Sequence, residues 1–547
     1  MQRYSLLLSV LLFSSVMLSG QTREQPRTSP AETDFAGTLC FLSSGWMEGR
    51  EAGTRGGFLA ADYIASMMQL YGLVPFGDRD NPDQGHSKNH GGQFAALQSY
   101  FQDFEVLRVN AEKATLALVR RTSDSESELQ LSPGIDFELK PGPNGMEAAA
   151  QLVFAGYGIS AADKGYDDYK GLDVMDRIVV VLDGFPGHAD TTSLAWRKLG
   201  KYFSDGHASW EKKLQTAVGK GALALVIVSA DGRLKPYSHS PHNLKIVQSS
   251  MNSVNTNVPE YEDAEYFLPG DTTMLKAPVI ILCPDAMNHL FSGTGIFPAE
   301  FEDRAAGDLS PASMPLKEKR LKVSVAVKSE SLLVRNVLGM IRGKDTTKSI
   351  VVGAHYDHLG IRNGVIYHGA DDNASGTSGM LALARKWSEH GEMPPCNIIF
   401  SAWTAEEKGL LGSSYFVQHA RGNPNHIMLA INMDMISRSA PEDTTHRVLS
   451  IGTLPSGERL RKMAGDINLR LSHPFVLDLW DVTGHTGSDY GSFIAVKIPV
   501  MTFFSGFHDD YHTPRDVAAK ADLEKMQDIL NVVNACIQEF AGNPLSE

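Results

Sequence analysis

At 547 residues the chain is longer than one ordinary domain of roughly 150 residues and has the length for about two to four. Its 42% hydrophobic and 21% charged residues, with 50 glycines and 26 prolines, are those of a globular protein and exclude a low-complexity or fibrous one. Asp and Glu total 64 against 50 Lys and Arg, and a net charge of -14 excludes a general nucleic-acid binder, which needs a basic face.

Arg3 precedes the apolar run Tyr4 to Leu18, and Ser19-Gly20 then lead into the polar Gln21-Thr22-Arg23-Glu24, the order of a secretory signal. The run is short for a bilayer span, and no later stretch reaches membrane length. The reading is therefore cleavage near Gly20 and export, to the periplasm or the medium, with no stable membrane association. Cys40, Cys283, Cys396 and Cys536 lack CxxC spacing, so they form neither a zinc knuckle nor a dense disulfide framework.

After a polar linker, residues 36–73 carry apolar side chains at helical spacing, Phe58, Ala61, Ile64, Met67 and Leu70 among them, which predicts a helix on a core. Residues 77–93 read as a surface loop whose His86 and His90 are solvated. Short β-rich runs follow at 151–156, 178–182, 222–228 and 277–282, with a crossover helix over 212–220; together they predict a self-contained block at 140–290. Within it, residues 238–257 read as a mobile loop with solvated His239 and His242.

From about Ser331 strands and helices alternate. Strands are expected at 350–354, 397–403, 428–432 and 499–504, and helices at 374–389, 409–419, 457–465 and 521–540. The fold class is accordingly α/β, a mixed and mostly parallel central sheet flanked by helices, with ligands at the carboxyl ends of the strands.

Those strand ends carry the chemistry. The first ends in His355-Tyr356-Asp357, a helix opens with Asp371-Asp372-Asn373, the second strand ends in Glu406-Glu407, the third in Asn432-Met433-Asp434, and Tyr511-His512 follows the last. Each alone reads as a cap or a turn; five at one sheet edge read as a metal centre. Zinc takes imidazole nitrogen and carboxylate oxygen in a roughly tetrahedral shell, and two zinc ions about 3.5 to 4 Å apart need a bridging carboxylate. The expectation is two Zn2+ per chain: Asp371 as the bridge, His355 and Asp434 on one ion, Glu407 and His512 on the other. Glu406 stays off the metals as the general base, and Asp357 receives the second ring N–H of His355 and fixes its tautomer.

His355-Tyr356-Asp357, Gly369-Ala370-Asp371-Asp372-Asn373-Ala374-Ser375-Gly376, Glu406-Glu407 with Gly409-Leu410-Leu411-Gly412-Ser413, Asn432-Met433-Asp434 and Tyr511-His512-Thr513-Pro514 together resemble metallopeptidase family 28. That family includes dizinc aminopeptidases and glutamate carboxypeptidase II. The resemblance is strong from Ser331 onward, and Gly49-Arg50-Glu51-Ala52-Gly53-Thr54 extends it less specifically. Gly156-Tyr157-Gly158-Ile159, Tyr166-Asp167-Asp168-Tyr169 and Gly171-Leu172-Asp173-Val174 resemble the protease-associated domain inserted in exported peptidases. The resemblance implies a zinc-peptidase, phosphorylase/hydrolase-like fold whose peptidase domain is split into residues 21–139 and 291–547 around the insert. It also implies that Tyr511 donates its hydroxyl to the oxyanion. Ser488-Asp489 resembles a further family element, but Tyr490 stands where a histidine is common, so that site stays unassigned.

The function expected is an exported zinc exopeptidase, an aminopeptidase acting on peptides with a free N-terminus. A glutamate-releasing carboxypeptidase would need arginines gathered around a carboxylate, with Arg438 and Arg447 in the right region. A single-zinc glutaminyl cyclase fits less well with five ligands present. An inactive peptidase-like binding protein would have lost a ligand or the base, and none is lost.

Overall fold

The structure is a computed structural model and describes residues 30–78, 100–142, 144–200, 202–203, 208–229, 264–270, 277–311, 313–419, 426–482 and 487–542. The export signal, His86, His90, His239 and His242 lie outside them. No helix among the described residues is long and apolar enough to cross a membrane. The four cysteines are free, Cys396 and Cys536 buried.

The C-terminal half is built on the expected strands, three of them longer than the apolar run and the last, Val500–Phe504, one residue shorter. Asp345–His355 lies between Cys396–Trp403 and Ile427–Met433, parallel to both, and Val500–Phe504 runs parallel beside Ile427–Met433. These strands are buried on both faces, so they read as unbroken apolar runs instead of alternating ones. Beyond them lie Val448–Thr453, antiparallel to Val500–Phe504, and the edge strand Val476–Asp481. Neither was expected from the sequence.

The helices cover the sheet as their spacing predicts. Met380, Leu383, Ala384 and Trp387 form one stripe of the helix Gly376–Glu389, and Met526, Ile529, Leu530, Val533 and Ile537 one stripe of Leu523–Gly542. Burying each such Leu, Ile or Met contributes about 1.5–3 kcal/mol. The helix predicted over 36–73 is two helices, Pro30–Leu42 and Arg55–Leu70, separated by the short turn of helix Gly45–Arg50, where Glu48, Gly49 and Arg50 adopt positive φ.

A second, separate core holds the β-rich block. Met146–Phe154, Ile178–Leu182, Ala224–Val228 and Val279–Leu282 run parallel in that order, with the helix Trp210–Gly219 on one face. This core also draws on Leu116, Leu131, Phe137, Ile296, Phe301, Leu316 and Val325, so residues well outside 140–290 contribute to it. The link between the halves is the 28-residue strand Met314–Ile341. It pairs antiparallel with Met146–Phe154, with Phe101–Arg121 and with Cys396–Trp403, joining both halves in one 16-stranded sheet.

Candidate metal centre

Register brings the chemistry to one edge. His355 pairs with Trp403, Gly353 with Asn432 and Met433 with Phe503, so four parallel strands end level and hand over to the loops carrying His358, Glu406-Glu407, Asp434 and, after Val500–Phe504, His512. A fifth contribution comes from the turn Ala370–Ser375 before the helix Gly376–Glu389. Asn373 fastens that turn: its Nδ2 donates to Met433 O at 3.0 Å, and its Oδ1 accepts from Gly376 N at 2.9 Å. Ala405, Met435 and His512, each at or beside a functional residue, have left-handed φ between 50° and 54°. For non-glycine residues this backbone costs about 1–3 kcal/mol each and is held only where surrounding contacts enforce it.

Two donor groups share one carboxylate. His355, Asp372 and Asp434 form the first; His358, Asp372, Glu407 and His512 the second. In the first, His355 Nε2 stands 3.3 Å from Asp434 Oδ1 and 3.5 Å from Asp372 Oδ1. In the second, His512 Nε2 stands 3.0 Å from Asp372 Oδ2 and 3.2 Å from Glu407 Oε2. Donors bonded to a tetrahedral zinc at 2.0–2.1 Å are separated by roughly 3.3 Å, so these spacings are compatible with a shared ion. Asp372 Oδ2 is buried and accepts no hydrogen bond, as a metal-facing oxygen does. The donors are nitrogen and oxygen without thiolate, the set that zinc takes and that cobalt or manganese also accept.

The shared carboxylate is Asp372, which corrects the assignment of the bridge to Asp371. Adjacent residues of a tight turn point apart, and Asp371 points away from both groups. Its Oδ1 accepts from Ser437 N at 2.7 Å and Ser437 Oγ at 2.8 Å, while its Oδ2 faces His508 Nε2 at 3.2 Å. Below the turn, Asp516 accepts from the backbone N–H groups of Asp371 and Asp372. The structure therefore brings His355, Glu407, Asp434 and His512 together, adds Asp372 and His358, and leaves Asp371 as support.

Asp357 also differs from expectation. The partner of His355 Nδ1 is the main-chain carbonyl of Asp357, at 3.2 Å, whereas the carboxylate lies 3.8 Å away. That carboxylate instead accepts the backbone N–H of Glu406 at 3.1 Å and so holds the loop of the candidate base. Burial raises the Asp357 pKa to about 6.

Glu406 approaches His355 Nε2 at 3.9 Å and belongs to neither donor group. Its burial, with the charges of Glu407, Asp434 and Asp489 outweighing the opposing His355, raises its pKa well above the carboxylate range. For Glu407 the balance reverses: burial is outweighed by His512 and His358, and its pKa falls well below the usual value. Tyr511 stacks on His512 at 3.9 Å between ring centroids. Burial and the carboxylates of Asp372, Glu407, Glu406 and Asp434 hold its phenol well above the ordinary tyrosine range, so it keeps a proton to donate.

Two residues that sequence reasoning left without a role hold the centre. Arg50 is fully buried and donates to the carbonyls of Leu42, Tyr356, His368 and Gly369, tying the N-terminal segment to the loops on either side of His358. Burial lowers its pKa to about 10 against the opposing pull of Asp372, Asp516, Asp357 and Glu407, so it stays charged at neutral pH. A histidine three residues after His355 has no strand-end position of its own; the sequence signal for His358 is its place on the same loop. Arg438 and Arg447 are taken up by Asp510 at 3.1 Å and Asp528 at 2.7 Å, so they do not gather at the centre. Asp489 is buried beside it, close enough to raise the Glu406 pKa, while Ser488 Oγ accepts from Asn432 Nδ2.

Known proteins similar to this chain are named as peptidases. Over 144 residues the chain is 31% identical to a "Probable zinc metalloprotease" of Pyrenophora teres f. teres, covering 25% of this chain and 30% of that protein. Over 353 residues it is 25% identical to "Leucine aminopeptidase 2" of Arthroderma otae, covering 59% of this chain and 68% of that protein. The chain spans about a third of the length of the first curated relatives it matches. Among solved structures, an aminopeptidase from Aneurinibacillus sp. strain AM-1 superposes with a TM-score of 0.55 at 20% identity, over 92% of this chain and 93% of that one, and so shares its fold. Residues 336–537, which carry every donor described above, match the model of Peptidase family M28.

Proposed function

We propose that the protein is a two-zinc exopeptidase that removes residues from the free N-terminus of peptides. The observation that carries this reading is the pair of donor groups sharing Asp372, with an adjacent glutamate, Glu406, in neither. His355 and Asp434 would hold one ion, Glu407 and His512 the other, and Asp372 both. Bound there, zinc supplies a Lewis acid for the scissile carbonyl and a water acidic enough to be deprotonated near neutral pH.

The chain's own groups do the rest. Glu406 takes the proton of the attacking water on a carboxylate oxygen and passes it to the leaving amine. Tyr511 donates its hydroxyl hydrogen to the oxygen of the carbonyl under attack, where negative charge develops. Glu406, Asp434 and Asp489 gather carboxyl groups that can accept hydrogen bonds from a substrate ammonium, and with Arg438 and Arg447 engaged by Asp510 and Asp528 this favours an amino terminus over a carboxylate.

The test is product analysis by mass spectrometry with an unblocked peptide and its N-acetylated twin. Release of N-terminal residues from the unblocked peptide alone is expected. Trimming of both from the carboxyl end would replace the reading with a carboxypeptidase, and no cleavage of either with zinc present would favour an inactive binding protein. The pattern from Arg3 to Gly20 supports export of the mature chain. N-terminal sequencing from the producing cell should begin after Gly20, and a chain starting at Met1 would overturn it. The β-rich block supports a protease-associated role, the shaping of access to the centre.

A further inference from the structure

We propose that His358 is a positioning residue that fixes the pose of Glu407 through a hydrogen bond to its Oε1, leaving Oε2 for the metal; this rests on the two-zinc reading above. His358 is fully buried on the loop that follows Asp345–His355. Its Nδ1 stands 2.8 Å from Glu407 Oε1, with the geometry of a hydrogen bond, and 3.6 Å from Asp372 Oδ2. On the other side of the same carboxylate, Glu407 Oε2 faces His512 Nε2 at 3.2 Å. The two oxygens of Glu407 thus meet two different imidazoles.

Three observations decide between a hydrogen-bond donor and a further ligand. The 2.8 Å separation is short for two donors on one tetrahedral ion, which would stand roughly 3.3 Å apart, and is an ordinary length for a charge-assisted N–H to carboxylate bond. A ligating histidine almost always passes its second ring N–H to a carboxylate or carbonyl. His358 Nε2 is buried and has no hydrogen-bond partner, so the ring's proton belongs on Nδ1. His512, by contrast, faces one oxygen each of Asp372 and Glu407 at 3.0 and 3.2 Å, as a ligand does.

The ring of His358 is itself held still. Gly369 has a φ of 56°, and a Cβ there would lie 2.5 Å from His358 Cδ2, so the ring packs on bare backbone. The His358 backbone N–H points at Arg50 O at 3.4 Å, and Arg50 donates to Gly369 O at 2.8 Å. A rigid donor of this kind selects one carboxylate rotamer for Glu407. Without it the side chain can turn, and the ion bound by Glu407 and His512 loses affinity while the ion bound by His355 and Asp434 does not.

The experiment is a Co(II) titration of the full chain, stripped of metal by a chelator, followed by calorimetry and by the visible absorption of bound cobalt. Wild type is compared with His358→Ala and His358→Asn; the asparagine Nδ2–H can take the place of the ring Nδ1–H. The expected result is that His358→Ala weakens one of two cobalt sites by about 10–100-fold. His358→Asn restores that affinity, and both saturated variants keep the wild-type cobalt spectrum. Two sites of unchanged affinity in His358→Ala overturn the proposal. So does a changed cobalt spectrum that asparagine fails to restore, which would make His358 a direct ligand. A wild-type chain that binds no cobalt overturns the two-metal reading and this one with it, so the two failures are distinguishable. Circular dichroism of both variants confirms that each is folded.

Discussion

Glu406 and Glu407 are sequence neighbours with opposite ionisation: burial raises the first, while His512 and His358 hold the second ionised. Glu406→Gln should lower kcat by about 10²–10⁴-fold with metal content unchanged, read from initial rates and metal analysis of the same sample. Loss of metal with the activity would make Glu406 a ligand. In the metal-free chain, carboxylates outweigh burial and raise the His512 pKa from 6.5 to about 10. A histidine with a raised folded pKa binds its proton more tightly when folded. Its stabilisation is therefore full below about pH 6.5 and is lost as pH rises through about 10. Metal takes the place of that proton. Zinc binding at pH 7 should therefore release protons, seen as a binding enthalpy that changes with the ionisation enthalpy of the buffer; a buffer-independent enthalpy would contradict it. At this scale the sequence carried the residue types and four of the donors. Asp371 and Asp372 could not be separated from sequence, because the turn alone decides which of two adjacent carboxylates faces inward.

Elements locate the centre, and their fastenings lie far off in sequence. Arg50, on the turn between the first two helices, satisfies four carbonyls from three separate segments. Arg50→Leu would leave those carbonyls buried without donors, at about 1–3 kcal/mol for each such group. We expect a loss of at least about 3 kcal/mol, measured as a lower urea midpoint; an unchanged midpoint would show that water replaces the guanidinium. On the far side of the glutamate loop, Lys408 is 2.9 Å from Glu51 and 4.8 Å above the ring of Tyr266, while Leu268 packs with Ala405 and Leu411. The β-rich block therefore touches the loop that carries Glu406. Parallel strands were legible because burial on both faces gives unbroken apolar runs, as in Ile398, Ile399 and Phe400. Val476–Asp481 was not, because an exposed edge strand with Asp478 and Asp481 in it carries no such signal.

Among the described residues one 16-stranded sheet runs through both halves, and the strand Met314–Ile341 contributes to the two largest cores. From sequence, the β-rich block at 140–290 reads as self-contained; its core in fact extends to Leu116 on one side and Val325 on the other. Exposed polar residues alternate with buried Leu321, Val323 and Val325 along that strand, a pattern that identifies a strand without revealing that it spans two cores. Excising 140–290 should therefore give an aggregating chain, because Met314–Ile341 would lose its partner Met146–Phe154 and expose an apolar edge; a soluble, folded remainder by circular dichroism and size-exclusion chromatography would contradict this. The central claim, a two-zinc centre bridged by Asp372, is tested most directly by counting zinc per folded chain by native mass spectrometry in wild type, Asp371→Asn and Asp372→Asn. The account predicts two zinc ions in the wild type and in Asp371→Asn, and loss of both in Asp372→Asn. Two ions retained by Asp372→Asn, or both lost from Asp371→Asn alone, would contradict it.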